Sequence, residues 1–197
     1  MTMARAGTKT TTSGLDWNIM LGLSHRLKQD GNLKFYLLIL TGCYFGLRAG
    51  DLLQIRWCQL IDKDDLTLKE QKTGKLRKIT INTAVKEALT HVRGELTKVG
   101  RYNEDSYVFA NRWGEPVSIS YVNKQLHKIF PKYNVKVQNP STHTLRKSFG
   151  RRVFEQGNKS EKSLIYLSDI FSHNSIATTR KYIGVTERQI ADVYLQL

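Results

Sequence analysis

The segment from residue 35 to residue 45 is the longest apolar stretch of the chain, and it constrains the fold more than any other feature. Only Thr41 and Gly42 interrupt it. A helix that spans a bilayer needs about 20 apolar residues, so this segment is too short to cross a membrane. It instead predicts a helix with a large buried surface, which we place at residues 33–47. With 40% apolar residues overall, the chain has enough material for a real core.

Helical periodicity recurs along most of the remaining sequence. Ser118 is a predicted N-cap, Pro131 is expected to end the helix that Ser118 begins, and Thr142 is the predicted N-cap of the next helix. The predicted helices cover residues 15–29, 33–47, 49–55, 84–99, 118–130, 142–156, 164–171, 176–183 and 187–197.

Residues 56–82 have a different character from the rest of the chain. Turn residues separate short strand-like pieces, which lie at residues 57–61, 66–70 and 77–81. The sequence therefore predicts a mainly α-helical fold with a small antiparallel β-sheet (α+β). We expect one domain over residues 15–197, preceded by a flexible polar tail over residues 1–14.

Charge is the strongest signal in the composition. Lys plus Arg number 31 and Asp plus Glu number 17, which leaves a formal net charge of +14. A domain this basic most often binds a polyanion, and nucleic acid is the commonest one. Charge alone is also compatible with a ribosomal protein or a protein of anionic membranes. Membrane binding is the weaker reading, because the basic residues are spread along the chain rather than concentrated on one amphipathic helix.

The sequence has no pattern typical of a metal site or of an export signal. Its two cysteines, Cys43 and Cys58, belong to no C-x-x-C pair, and no Cys/His cluster has zinc spacing. Residues 1–14 are polar and lack the apolar segment of a signal peptide. We therefore expect no metal, no membrane association and a reducing, cytoplasmic location.

Two histidines, an arginine and a tyrosine lie close together late in the sequence. His143 and Arg146 are three residues apart at the start of a predicted helix, where an anion would meet both side chains and the helix N–H groups. His173 lies in a predicted turn nine residues before Tyr182. A tyrosine among cationic side chains is suited to attack on a phosphodiester. Each residue taken singly has an ordinary structural explanation. For example, the chain has nine tyrosines, so Tyr182 alone is not distinctive.

Two further basic residues stand out upstream. Arg48 follows the long apolar helix and needs a partner, and Asp51, three residues later, is the candidate. Lys72 lies in a predicted hairpin turn, where a lysine either reaches into a groove or is simply solvated. Taken together in chain order, these residues are more informative than any one of them.

The ordered set of an arginine, a hairpin lysine, an H-x-x-R pair, a histidine and a tyrosine resembles the catalytic set of the tyrosine recombinases, the phage integrase family. The resemblance covers about residues 15–190. Four segments carry it: residues 41–57 are similar to the first arginine box, 71–75 to the hairpin lysine segment, 142–149 to the second arginine box and 172–182 to the nucleophile box.

The departures from the family pattern are conservative. Asp51 stands where the family usually has Glu, and Lys147 stands where His is frequent. Phe171 and Ser172 replace a common Leu-Gly pair before the second histidine. None of these changes removes a catalytic group.

The resemblance implies a site-specific DNA recombinase of the integrase, excisionase or invertase type. Tyr182 would attack the phosphodiester and form a covalent 3′-phosphotyrosyl link. Arg48 and Arg146 would neutralise the nonbridging oxygens, and His173 would donate a further hydrogen bond to them.

The remaining roles concern proton transfer and support. His143 is the implied acceptor of the tyrosine proton, and Lys72 would protonate the departing 5′-oxygen. Asp51 would support Arg48. Because the covalent link conserves the energy of the broken bond, no cofactor is expected.

Double-stranded DNA and further copies of the chain, as a dimer or tetramer on DNA, are the implied partners. The segment at residues 186–197 has an apolar face that packs either on its own domain or on a neighbouring protomer. Most of the family carry an N-terminal domain that clamps the DNA. We therefore expect either a single-domain member, as the fimbrial switch invertases are, or an excised catalytic domain.

Three alternative functions stay open at this point. A type IB topoisomerase-like enzyme would share the chemistry but relax supercoils as a monomer. A DNA-binding regulator on an inactive recombinase fold would not need Tyr182. A general basic nucleic-acid-binding domain is the third, although the sequence has no RRM, KH or zinc-finger signature.

Overall fold

Helices make up most of the structure, a computed structural model that describes residues 12–184. Its elements are α1 (Trp17–Gln29), α2 (Leu33–Phe45), α3 (Ala49–Leu53), a 3₁₀ turn (Trp57–Gln59), β1 (Asp65–Lys69), β2 (Leu76–Thr80), α4 (Thr83–Lys98), α5 (Ile119–Lys132), α6 (Thr142–Gln156), α7 (Glu161–Phe171) and α8 (Ile176–Ile183). The predicted fold class, mainly α with a small antiparallel sheet, is confirmed.

The apolar segment predicted from the sequence forms the centre of the main core. Nearly every residue of α2 is buried, and the helix packs against α1, α4 and α6. Gly42 allows α6 to approach closely, because a Cβ atom there would lie 2.7 Å from Cδ1 of Leu145. At the end of α2, Gly46 adopts a left-handed conformation with φ 56°, which terminates the helix.

A second, smaller core holds the C-terminal helices together. Its buried residues come from α6, α7 and α8: Phe154, Leu164, Leu167, Phe171 and Ile183. Gly150 of α6 faces this core, and a Cβ atom there would lie 2.7 Å from Cγ2 of Ile183. Helix α6 therefore lies between two cores, with α2 on one side and α7 and α8 on the other.

The sheet is a single hairpin. Strands β1 and β2 pair antiparallel, from Asp65 opposite Thr80 to Lys69 opposite Leu76. The predicted strand at residues 57–61 is wrong, since this piece is a 3₁₀ turn. The N–H groups of Trp57 and Cys58 donate to the carbonyls of Ser106 and Glu104, so a loop and not a neighbouring strand satisfies them.

Two predicted helix boundaries also need correction. Helix α5 continues through Pro131 and ends one residue later at Lys132, although the proline has no N–H to donate to the carbonyl of His127. The N-cap of α6 is Ser141, whose N–H donates to the hydroxyl of Thr144 at 3.1 Å. Thr142 instead donates its N–H to Oδ1 of Asn123 at 2.9 Å.

The expected tail does not reach as far as residue 14. Residues 12–14 lie against the domain: the Thr12 hydroxyl is 2.7 Å from that of Thr144, and the Thr12 carbonyl accepts from Nζ of Lys147 at 2.7 Å. The rest of the expected tail and the predicted helix at residues 187–197 lie outside the described residues. No helix within residues 12–184 is long and apolar enough to cross a membrane.

Candidate active site

The C-terminal end of α2 binds two guanidinium groups. Arg146 donates to the carbonyl of Gly46 at 2.7 Å, and Arg77 donates to the carbonyl of Phe45 at 2.8 Å. The last carbonyls of a helix have no partner within the helix and carry a partial negative charge, so they favour cations. Helix α2 thereby fixes both arginines beside Arg48, which follows it in the chain.

The two arginines of the predicted phosphate clamp converge on a single oxygen atom. The carbonyl oxygen of Phe171 accepts from Nη2 of Arg48 at 3.0 Å and from Nη2 of Arg146 at 3.1 Å. The Arg146 guanidinium also stacks over the Phe171 ring, 4.3 Å from its centroid. Although these residues are far apart in the sequence, the structure brings them together.

Arg146 is deeply buried, with only 4% of its surface exposed. Burial lowers its pKa to about 10, which still leaves the guanidinium fully charged at neutral pH. A buried cation held by two carbonyls is a strong and directional donor to an anion.

The predicted pairing of Arg48 with Asp51 is wrong. Arg48 is the extended residue that precedes α3, with φ −67° and ψ 148°, so the i,i+3 spacing of a helix does not apply to it. Its carboxylate partner is Glu70, with Nη1 and Oε2 2.7 Å apart. One oxygen of Asp51 accepts the N–H of Gln71 at 2.8 Å, and the other is buried without a hydrogen-bond partner.

Glu70 was missed by the sequence analysis, although it is only 2% exposed and binds several side chains. Its Oε2 accepts from Arg48 and from the hydroxyl of Thr73 at 2.8 Å, and its Oε1 accepts from Arg77 at 3.3 Å. Burial acts to raise the pKa of the carboxyl, but the hydrogen bonds of Thr73 and Arg48 outweigh it, so the pKa lies below its ordinary value. An acidic residue amid the lysines of residues 69–75 was the available signal.

Lys72 lies in the hairpin turn, as predicted, but touches none of the other candidates. Its side chain is exposed, and within residues 12–184 it has neither a hydrogen bond nor an ion pair. Its charge nevertheless contributes to lowering the pKa of His173, so the lysine lies on the same side of the molecule as the other candidates.

His143 also stands apart in this structure. It is exposed in the first turn of α6, and no hydrogen bond or ion pair joins it to another described residue. Partial removal from water lowers its pKa, and the charges of Arg146 and Lys147 lower it further. The imidazole is therefore neutral at pH 7 and able to accept a proton.

His173 lies beside the predicted nucleophile. Its Nδ1 is 3.0 Å from the hydroxyl of the buried Thr179, and its ring centroid is 5.2 Å from that of Tyr182. Burial lowers the pKa of His173, and the charges of Arg146 and Arg48 add to the effect. Because Thr179 occupies one ring nitrogen, the other is free to meet a ligand.

Tyr182 is packed edge-on against Phe171 and His173, and its hydroxyl is buried without a hydrogen-bond partner. Burial raises the pKa of the phenol, and the charges of Arg146 and Arg48 oppose that increase. Nζ of Lys147 lies 5.4 Å from the ring centroid. In this conformation the phenol is protonated and shielded from solvent, while the cations that would favour its phenolate are close by.

The residues that the structure describes contain no group of three or more His, Cys, Asp or Glu side chains placed to hold a metal ion. Of the two cysteines, Cys43 is buried in the main core, and burial raises its pKa to about 12. A thiol so strongly protonated has the properties of a small apolar core residue.

Comparison with known proteins agrees with the sequence motifs. The model of the phage integrase family matches residues 20–189. The chain belongs to the phage integrase family. This membership confirms the resemblance that the four sequence segments carry.

Relatives within the phage integrase family are named as integrases or recombinases. The chain is 31% identical over 157 residues to the probable integrase/recombinase YoeC of Bacillus subtilis, which covers 79% of this chain and 80% of the relative. It is 22% identical over 156 residues to the tyrosine recombinase XerH of Campylobacter jejuni, which covers 78% of this chain and 42% of XerH. The chain thus spans less than half of the length of XerH.

Solved structures show the same phage integrase fold. XerA recombinase superimposes with a TM-score of 0.71 at 17% identity, over 99% of this chain and 66% of that one. XerH bound to its palindromic difH substrate gives a TM-score of 0.72 at 18% identity, over 98% and 55%. The helices and the hairpin that position the candidate site are therefore those of the family fold.

Proposed function

We propose that this phage integrase family member is a site-specific recombinase that cuts and rejoins DNA strands through a covalent 3′-phosphotyrosyl intermediate. The observation that carries the proposal is the convergence of Arg48 and Arg146 on the carbonyl oxygen of Phe171, with the ring of Tyr182 packed edge-on against the Phe171 ring. Family membership and the names of the relatives support the same activity. No relative reported above favours a topoisomerase or an inactive regulator.

The two arginines are suited to bind the scissile phosphate. A nonbridging oxygen in the place of the Phe171 carbonyl would receive a hydrogen bond from each guanidinium. The other ring nitrogen of His173 would supply a third donor in the tautomer whose Nδ1 accepts from the Thr179 hydroxyl, because a neutral imidazole has a single N–H. Negative charge grows on these oxygens as the phosphodiester is attacked, so fixed cationic donors lower the barrier most at the transition state.

Tyr182 is the proposed nucleophile. Its buried phenol must move out of contact with Phe171 before it can attack, and it must lose its proton. Attack forms the bond between the phenolic oxygen and phosphorus and breaks the bond to the 5′-oxygen. His143 is the proposed acceptor of the phenol proton, and Lys72 the proposed donor to the departing 5′-oxygen. A 5′-hydroxyl from another strand then reverses these steps and rejoins the DNA.

Replacement of Tyr182 by Phe tests the assignment directly. We expect Tyr182→Phe to bind DNA with unchanged affinity and to form no covalent adduct on a nicked suicide substrate. The matched control is Tyr166→Phe, which removes the hydroxyl of a tyrosine that is 53% exposed on α7 and should leave adduct formation intact. Denaturing gel electrophoresis of labelled DNA measures the adduct, and an adduct that persists in Tyr182→Phe would end the proposal.

Recombination also requires several protomers on the DNA, and we infer that this chain acts as a dimer or tetramer there. The segment at residues 186–197, which lies outside the described residues, is the proposed contact between neighbouring protomers. A two-site recombination assay run beside plasmid relaxation separates strand exchange from simple nicking and closing. Relaxation without recombination would overturn the assembly part of the proposal.

A further inference from the structure

Glu70 connects parts of the candidate site that are distant in sequence. Its carboxylate binds Arg48 with one oxygen and Arg77 with the other, at 2.7 and 3.3 Å. The same residue accepts from Thr73, one position after Lys72 in the hairpin turn. With 2% of its surface exposed, Glu70 is held in this position and does not exchange these partners for water.

The backbone on both sides of Lys72 is fixed while its side chain remains free. Gln71 donates its N–H to Asp51 at 2.8 Å, and Thr73 donates its hydroxyl to Glu70 at 2.8 Å. The turn is closed by Gly74 N–H donating to the Glu70 carbonyl at 2.8 Å. A rigid base under a free, exposed ammonium is the arrangement expected for a lysine that must reach a bound substrate.

Arg77 ties this hairpin to the helix that also positions the phosphate clamp. It donates to the carbonyl of Phe45, the neighbour of the Gly46 carbonyl that holds Arg146. Arg77 is 14% exposed, so its charge depends on Glu70 for compensation. Loss of the Glu70 charge would leave Arg48 and Arg77 close together without a carboxylate between them.

We propose that Glu70 and Arg77 are positioning residues, which hold Arg48 and the Lys72 turn in one arrangement at the end of α2. Neither residue touches the reacting atoms. Glu70 acts through the two groups that do, and Arg77 acts through Glu70. This inference rests on the proposed function, because it requires Lys72 to be the proton donor to the 5′-oxygen.

A substrate that needs no proton donor distinguishes positioning from a loss of folding. In one suicide substrate the leaving atom is the normal 5′-oxygen, and in the other it is a bridging sulfur, which departs readily as a thiolate. We expect Glu70→Gln to slow cleavage of the oxygen substrate by about 100-fold or more. With the sulfur substrate, the cleavage rate of Glu70→Gln should rise by at least about tenfold relative to that loss. The part of the slowing that comes from a misplaced Arg48 should remain.

Three further variants make the test decisive. Glu95→Gln removes a surface carboxylate that pairs with Lys98 and should leave both substrates unchanged. Thr73→Val removes the hydroxyl that donates to Glu70 and accepts from the N–H of Lys75, so it loosens the turn but leaves the contact between Glu70 and Arg48 in place. Its smaller loss should be recovered fully on the sulfur substrate, and it serves if Glu70→Gln fails to fold. Arg77→Met should behave as Glu70→Gln does.

The outcomes separate this inference from the proposed function. Two results would overturn the positioning role, provided that the wild-type protein still forms its adduct. One is that Glu70→Gln and Thr73→Val cleave both substrates equally slowly. The other is that neither variant is slowed. An adduct absent from the wild-type protein on both substrates would instead overturn the proposed function. A last variant, Lys72→Ala, lacks the proposed proton donor and should cleave the sulfur substrate much better than the oxygen substrate. If it cleaves both equally slowly, the assignment of Lys72 is overturned and, with it, this inference.

Discussion

Burial sets the protonation state of the individual residues around the candidate site. Removal from water keeps Tyr182 protonated and His173 neutral, whereas Arg146 stays charged because its pKa falls only to about 10. The site therefore combines a neutral acid, a neutral imidazole and permanent cations at pH 7. Attack by the phenol on a phosphodiester would therefore require a base to take its proton, because burial raises the pKa of Tyr182.

The lowered pKa of His173 predicts a specific pH dependence of stability. In the unfolded chain the imidazole takes up a proton near its ordinary pKa of 6.5, but in the folded protein it does so only at lower pH. The unfolded state then binds more protons, so the free energy of unfolding should decrease as the pH drops below 6.5. Urea denaturation at pH 7.5, 6.5 and 5.5 measures this effect.

The variant His173→Gln isolates the contribution of this one group, because the other histidines are common to both proteins. As the pH falls from 7.5 to 5.5, the free energy of unfolding should decrease more in the wild-type protein than in the variant. A difference that is constant over this range would show that His173 titrates normally in the folded protein.

At the scale of single residues, the sequence predicted which side chains converge better than how they are held. The structure brings Arg48 and Arg146 together and places Tyr182 beside His173, whereas His143 and Lys72 form no hydrogen bond or ion pair with another described residue. The partner of Arg48 was wrong because spacing in the sequence presumes a helix, and Arg48 precedes one. Glu70 becomes adjacent to Arg48 only through the hairpin, so no local pattern could reveal that contact.

Among the elements, α6 has the most demanding position, because it packs closely on both faces. Gly42 of α2 meets Leu145 on one face, and Gly150 lies against Ile183 and Phe171 on the other. Helix α6 carries His143 and Arg146, while α7 ends at Phe171 and α8 carries Tyr182. The spacing between α6 and α8 therefore sets the distance between the clamp and the nucleophile.

Replacement of Gly150 by Ala should disturb that spacing. The added methyl group would lie 2.7 Å from Ile183 and 3.0 Å from Phe171, so the helices must separate. We expect Gly150→Ala to destabilise the protein by about 1–3 kcal/mol and to slow adduct formation. Thermal unfolding and the suicide-substrate assay measure the two effects.

The matched control is Gly22→Ala in α1, where an added Cβ meets nothing within 4 Å. It should stabilise the protein by about 0.5–1 kcal/mol and leave adduct formation unchanged, because alanine favours the helix more than glycine does. If Gly150→Ala behaved like Gly22→Ala, the close packing of α6 against α8 would be irrelevant to catalysis.

The elements themselves were largely predictable, because the helices are amphipathic or strongly apolar over whole turns. The errors occurred where tertiary contacts decide. Residues 57–61 have strand-like composition between turn residues, but the N–H groups of Trp57 and Cys58 donate to a loop. Pro131 lies inside the last turn of α5, which ends at Lys132, two residues later than predicted.

For the whole molecule, the net charge of +14 predicts that DNA binding is mainly electrostatic. If about six to eight phosphates are neutralised, a plot of log affinity against log salt concentration should have a slope of roughly −5 to −7. Fluorescence anisotropy of a labelled duplex between 50 and 300 mM salt, roughly the range over which such contacts weaken, measures the slope.

Tyr182→Phe is a useful control for this measurement, because it retains every basic residue and should give the same slope. A flat response would show that the basic surface does not face the DNA. Composition is sufficient to make a prediction about this bulk property. It does not predict which cations meet at the end of α2, because that depends on how α6 and the hairpin pack around one helix.

The shared carbonyl of Phe171 has a consequence for the protein away from its substrate. A neutral peptide oxygen already holds both guanidinium groups at hydrogen-bond distance, so the two donors are aimed at one point and a phosphate that binds there must displace the carbonyl. Phosphate carries more negative charge than the carbonyl and wins that exchange. If a scissile phosphate took the place of this carbonyl, the segment that leads to Tyr182 would lose two of its hydrogen bonds, which would couple substrate binding to exposure of the phenol.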